Sequence, residues 1–404
     1  MLPRLLASAG AALLAGVQLP AAETAAARPL DAIVLPTVQY AHNEIWFHTP
    51  SDIPPSIAIT SEIAPEQRLD LVVLGAGGAS DDDGRVHLTY HFEIVGPDGK
   101  VLHSPESVVI HDVPSAPHAL HYPREVTSFR TSPGEPTGEY RFTCTLTDRV
   151  SEKTVEKTIT VRVASSNDPL PLPSDVNFDR FLGTYHARPH PRLALPALIA
   201  FSRTPFATRP PNHHGVLLGF YERVLADNPW LVPQFKKHFA AASQPAERRL
   251  FARVLAFSHA SDEPFADLPR KARDAITLAR REGLPTPTPR PQLGGPLDVH
   301  WGRFLASGRF TPIADLVAVA EAYAPAAAKI PLDEKGRPKN PDAPANEIRE
   351  AIIFRTAVWS LGSNTHQHEL VRTYLSGIAR SEKASPLARE IAQRALASKP
   401  PSPH

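Results

Sequence analysis

The sequence predicts two unlike halves: an antiparallel β-sandwich followed by an all-α region of stacked helix pairs, solenoid-like in arrangement. Three observations carry the prediction. Residues 70–163 alternate apolar and polar side chains with the two-residue period of half-buried strands. Beyond the linker the apolar period lengthens to that of helices. Between the two lies Pro169-Leu170-Pro171-Leu172-Pro173, where alternating prolines favour a stiff, extended connection. The expected boundaries are 30–167 for the sandwich, 168–175 for the linker and 176–399 for the helical domain.

Within the first half, Val86, Leu88, Tyr90, Phe92 and Ile94 alternate with His87, Thr89, His91 and Glu93. Gly96-Pro97-Asp98-Gly99 then supplies hairpin-turn chemistry before Val101. Further on, Tyr140, Phe142, Cys144 and Leu146 share one strand face. A short connection leads to Ile159, Val161 and Val163 on a last strand. Many short strands with this period argue for a sandwich.

Gly138-Glu139-Tyr140-Arg141-Phe142, with the hairpin and TVEKTITVRV that follow, resembles the final two strands of bacterial immunoglobulin-like modules. The resemblance covers about residues 60–165 and implies that Tyr140 forms a tyrosine corner. The chain departs from antibody-type domains in lacking a cysteine pair, with Phe142 at the usual cysteine place. Such modules act as spacers, adhesins or enzyme accessories, so the resemblance carries fold and no activity.

In the second half, Val232–Ser258 and Leu370–Ser398 each read as a helix, a short polar turn with proline, and a second helix. PIADLVAVAEAY and EIREAIIFRTAVWSL form a third pair, with a loop expected from Pro325 to Ala345. These pairs, over about 214–398, resemble HEAT-type repeats, which implies a continuous core shared by neighbouring units.

Composition narrows the class. The 404 residues are 42% hydrophobic and 21% charged, enough to bury cores, and 44 of them are proline. The single cysteine, Cys144, leaves no disulfide framework and no cysteine zinc site. No run of 18 apolar residues is present, so a transmembrane helix is not expected. Residues 1–27 have the pattern of a cleaved secretory signal. Arg4 precedes the apolar stretch Leu5–Val17, and small residues follow, with cleavage expected near 22–27. The expected location is therefore the bacterial periplasm or the exterior, away from nucleic acid.

Charge divides the halves. Residues 30–170 carry 20 acidic and 10 basic side chains, and residues 171–404 carry 21 and 31. The opposed excesses suit an attraction between the two domains, or an acidic protein or envelope partner docked on the helical half.

Candidate chemistry is sparse. Asp81-Asp82-Asp83 offers carboxylates to a cation, with Asp98 or Asp112 as further ligands, but lacks the spacing and distal glutamate of an EF-hand. A solvated acidic turn accounts for it more simply. The glycines of Leu74–Gly78 lack the third glycine and following helix of a dinucleotide loop, so no cofactor is expected. His366 and His368 follow Ser363-Asn364, read as a helix N-cap. Two residues apart, they diverge on a helix and make a poor metal pair. His87 and His91 share a strand face about 13 Å apart, too far for one ion. His213-His214 have no supporting ligands nearby in sequence.

No G-x-S-x-G elbow, H-E-x-x-H or Walker loop occurs. The expectation is therefore an exported, non-catalytic binding or adaptor protein that engages its partner through the basic helical domain. The sandwich then acts as spacer or second contact. The alternative is a secreted glycan-active hydrolase or lyase with its cleft in the helical domain. Glu347 with Glu350, or Asp298 with His300, are the pairs such a cleft would use.

Overall fold

The computed structural model describes residues 29–399 apart from 103–107, 115–119, 124, 260, 262, 289–294, 334–336 and 341, and the backbone alone of 111–114. The expected export signal, 1–27, lies outside the described residues.

The first half runs β1 (Asp31–Thr37), α1 (His42–His48), β2 (Glu62–Ile63), β3 (Leu69–Ala76), β4 (Arg85–Val95), β5 (Val101–Leu102), β6 (Val108–Pro114), β7 (Leu120–His121), β8 (Thr127–Phe129), β9 (Gly138–Asp148) and β10 (Thr154–Val163). One sheet, here sheet A, has the order β1-β3-β7, with β8 also on β3. Sheet B has the order β2-β10-β9-β4-β5, with β6 also on β4. All pairings are antiparallel except β2 on β10.

The alternation read from β4 is realised, because Val86, Leu88, Tyr90, Phe92 and Ile94 all point into the core. They meet Leu69, Leu71 and Val73 of β3 across the sandwich. Tyr140 forms the corner that the resemblance implied, its hydroxyl donating to the Pro136 carbonyl at 2.7 Å. Cys144 is fully buried in the same core, and burial pushes its thiol up to about 12, so it is an inert apolar filler.

The second half is helical: α2 (Phe178–Tyr185), α3 (Ala194–Ser202), α4 (Gly215–Asp227), α5 (Val232–Ala241), α6 (Pro245–Ser258), α7 (Arg270–Arg281), α8 (Gly295–Ser307), α9 (Thr311–Lys329), α10 (Ala345–Thr365), α11 (Glu369–Arg380) and α12 (Pro386–Leu396). Proline opens α6 and α12 at the first helical position, where its missing N–H costs nothing. The pairs α9–α10 and α11–α12 are extensive, as expected of adjacent hairpins. The largest helix interface, α4 on α8, joins helices far apart in sequence.

Glycine explains that close crossing. A Cβ on Gly219 would run into the Val299 carbonyl, and one on Gly302 into the Val216 carbonyl. Backbones can touch there only because those side chains are absent. Two apolar clusters result, one over α2–α7 and one over α8–α12.

Two local expectations are corrected. Pro325 does not begin the loop but lies inside α9, which continues to Lys329. Only one turn follows it, so the bond lost to proline is a small fraction of a 19-residue helix. Ser363 and Asn364 are not an N-cap. They belong to the last turn of α10, and Asn364 Nδ2 donates back to the Ser360 carbonyl at 2.9 Å. His368 occupies the N-cap position of α11 instead.

Candidate functional site

α1 was not anticipated, and it joins the halves. It leaves sheet A after β1 and, with its N-cap residue Ala41, makes three sets of contacts. Ala41 and Ile45, one turn apart, are fully buried in the α8–α12 cluster. Three residues on from Ile45, His48 stacks its ring on Phe310 with centroids 3.6 Å apart, and meets Tyr374 edge-on. The His48 carbonyl also lies so near α11 that a Cβ on Gly377 would stand 2.5 Å from its oxygen.

The opposite side of α1 holds sheet A. His42 Nε2 donates to Asp70 Oδ2 at 3.1 Å, and His42 Nδ1 accepts from the Tyr122 hydroxyl. Because a carboxylate only accepts, this partner fixes the tautomer. Asp70 also takes bonds from Arg68 (2.8 Å) and Ser128 (2.6 Å). Burial alone would raise the Asp70 carboxyl, but the bonds from His42 and Ser128 and the Arg68 charge outweigh it and hold it below its usual value. Trp46, one turn after His42, packs on Tyr122 at 5.1 Å.

Glu44 makes the third contact. Its carboxylate accepts from the Phe310 N–H (2.7 Å), the Thr311 N–H (3.3 Å) and Arg309 Nη1 (3.3 Å). It thus caps the N-terminus of α9 from the other domain, where orphan amides and the helix dipole favour negative charge. Further links are Gln39 Nε2 to the His186 carbonyl (2.9 Å) and the exposed pair Asp52–Arg380 at 2.5 Å. A small cleft at this junction is lined by Gln39, Tyr40, Tyr185, Asp227, Asn228 and Ser307 among others.

The candidates named from sequence are dispersed. Asp81 closes the β3–β4 turn. Its Oδ1 accepts from the Asp83 and Arg85 amides (3.0 and 2.8 Å), and its Oδ2 pairs with His87 at 2.6 Å. Asp82 and Asp83 are exposed at that turn, and Asp98 is paired with Lys100 at another. The Asp112 side chain lies outside the described residues. His366 bonds the Ser398 carbonyl at 2.9 Å, whereas His368 turns inward against His186 at 5.1 Å and Phe304. They have different partners because His366 closes α10 and His368 opens α11, not because they diverge on one shared helix as the sequence predicts.

Asp298 and His300, two apart on α8, also face apart. His300 Nδ1 lies 3.2 Å from Asp315 of α9, while Asp298 sits beside Gly215 at the α4–α8 crossing. Burial pushes the Asp298 carboxyl up to about 6, opposed by the nearby His213 charge. Glu347 and Glu350 stand one turn apart at the start of α10, and both are half-buried. Among the described residues, no three His, Cys, Asp or Glu side chains converge as a metal shell, and no helix is long and apolar enough to cross a membrane.

Sequence reasoning also passed over a set of exposed apolar side chains. Trp359 is 65% exposed on α10, and Ile352 is 42% exposed two turns earlier on the same stripe. On the sandwich side, Phe47 of α1 is 68% exposed. The signal was available, since Trp359 falls outside the apolar stripe made by Ile353, Ala357 and Leu361.

No protein-family model matches the chain, and no curated protein matches it. Among solved structures, one described as an immunoglobulin-like protein from Pseudomonas aeruginosa is similar at 22% identity. The match spans 34% of this chain and all of that one, with a TM-score of 0.19. The likeness carries no argument about activity, and the sandwich rests on its own strand pairing and tyrosine corner.

Proposed function

We propose that the chain is an exported, non-catalytic binding protein of the bacterial envelope. Its sandwich is braced against the helical domain by α1, and its partner is a protein. The observation that carries the reading is Trp359, 65% exposed with Ile352 on one stripe of α10. Tryptophan combines a large apolar surface with a polar handle, and it is enriched where proteins dock. Phe47, on the helix that links the domains, is the second contact expected of the sandwich half.

The opposed charges of the halves support the bracing part of the reading, because Glu44–Arg309 and Asp52–Arg380 pair across the junction. The enzymatic alternative loses its clearest pair, since Asp298 and His300 face different partners.

The test is a cross-linking capture from an envelope extract of the source cells, using the parent chain and Trp359→Ser side by side. One stoichiometric protein held by the parent and lost by the variant is expected. Equal capture of the same protein by both would overturn the reading.

A further inference from the structure

We propose that the outer face of α7, together with the turn at Phe206, forms a docking surface for an anionic phospholipid bilayer. The surface is separate from the Trp359 stripe and does not depend on it.

α7 buries Ile276 and Ala279 against α6, packs Ala272 and Ala275 beside them, and presents its remaining face outward. Arg270, Lys271, Arg273, Asp274, Leu278 and Arg281 are all exposed. Only Asp274 is acidic, and its pair with Arg270 is loose at 3.9 Å with both side chains largely in solvent. Leu278 is 58% exposed in the midst of these cations. An aliphatic tip among solvent-exposed cations on a short amphipathic helix suits a bilayer interface. There the cations meet phosphate headgroups and the apolar tip enters between them.

A second apolar tip adjoins this face. Glu282 follows Leu278 by one turn, and its carboxylate is held by buried Arg253 at 3.1 Å. The same guanidinium donates to the Arg209 carbonyl at 3.0 Å. One side chain therefore brings the 205–209 turn to the C-terminal end of the Leu278 stripe. At that turn Phe206 is 50% exposed, and the Arg209 guanidinium lies 3.7 Å from its ring centroid. Phe206 thus stands against Arg209, and Leu278 shares its face of α7 with Lys271 and Arg281, while Arg273 flanks that face. Charge complementarity selects an anionic surface, and two apolar tips favour a bilayer over a purely ionic contact with an acidic protein.

The test is co-sedimentation of the mature chain with vesicles of phosphatidylglycerol mixed with phosphatidylcholine, and with vesicles of phosphatidylcholine alone. Binding to the anionic vesicles only, weakened by salt, is expected. Combined Lys271→Glu, Arg273→Glu and Arg281→Glu should lower it by at least about tenfold. Combined Phe206→Ser and Leu278→Ser should weaken it several-fold at unchanged charge. All five positions are exposed, and circular dichroism checks that each variant stays folded.

No binding to anionic vesicles would overturn the inference, as would equal binding by the charge-reversed chain. Binding to polyglutamate without binding to vesicles would also overturn it and assign the face to an acidic protein. Trp359→Ser is expected to sediment like the parent, so failure here leaves the protein-partner reading untouched, and the reverse holds as well.

Discussion

The sandwich and the junction helix are held by opposite means. β9 and β10 pair residue by residue across a short turn, and the Tyr140 corner reaches back only four residues. α1, by contrast, sets its inward-facing residues against three distant surfaces. His42 reaches Asp70 and Tyr122, 28 and 80 residues away, and Glu44 caps α9, 266 residues away. The difference teaches where the halves are joined. The proline-rich linker connects them covalently, while the contacts that couple them centre on one short helix, with Gln39 before it and Asp52 after it adding single links.

The largest effect is expected inside the helical half. Gly302→Ala would drive a methyl group into the Val216 carbonyl and within 2.7 Å of the Phe220 amide nitrogen. The α4–α8 crossing should lose about 3 kcal/mol or more in urea unfolding followed by far-ultraviolet circular dichroism. A loss below about 1 kcal/mol would mean that the backbones do not meet as closely as described. At the junction, Ile45→Ala removes a fully buried side chain from the α8–α12 cluster. It should cost about 3 kcal/mol by the same measurement.

Acid sharpens the contrast further. Burial, with the neighbouring His368 charge, pushes His186 at the junction down to about 3 from its ordinary 6.5. Its contribution to stability is therefore full above 6.5 and is lost as pH falls toward 3. Asp298 at the α4–α8 crossing runs the other way. Its carboxyl is raised to about 6 from 3.8, so its contribution is full below 3.8 and is lost as pH rises through 6. Melting temperature across this range should lose acid sensitivity in His186→Phe and lose the neutral-pH penalty in Asp298→Asn. Each change should amount to about 1–3 kcal/mol. Unchanged profiles in both variants would show that neither group is buried as described.

The smallest effect separates two cross-domain ion pairs. Glu44→Ala removes a helix cap and should cost about 1 kcal/mol. Asp52→Ala breaks a pair whose side chains are 57% and 63% exposed, and should change stability by less than about 0.5 kcal/mol. Equal costs would mean that Glu44 acts as a mere surface charge.

Legibility followed the range of the contacts. The sandwich core and the burial of Cys144 could be read because strand alternation is a local signal, whereas the Tyr140 corner was implied only by the resemblance to immunoglobulin-like modules. The helix pairs at 232–258 and 312–398 were legible from their own periodicity, apart from the Pro325 and Ser363 boundaries, whereas α2, α3, α4 and α7 were not read individually. α1 was not, because seven residues between strands hold too few turns for a helical period to show. Its signal is present in retrospect: Ala41, Ile45 and His48 fall on one face, and His42 and Trp46 on the next. The α4–α8 crossing left a trace in the four-residue spacing of Gly215 and Gly219, but nothing local named Gly302 as its counterpart. The exposed Trp359 becomes visible only once the buried stripe of α10 is known.

The claim that α1 couples the halves is tested most directly by scanning calorimetry of the protein beside its Gly377→Leu variant. That substitution seats a side chain where the Cβ alone stands 2.5 Å from the His48 carbonyl oxygen, so it wedges α1 away from α11. The predicted result is a single cooperative transition for the parent chain and two separated transitions for the variant. Two transitions in the parent, or an unaltered single transition in the variant, would contradict the account.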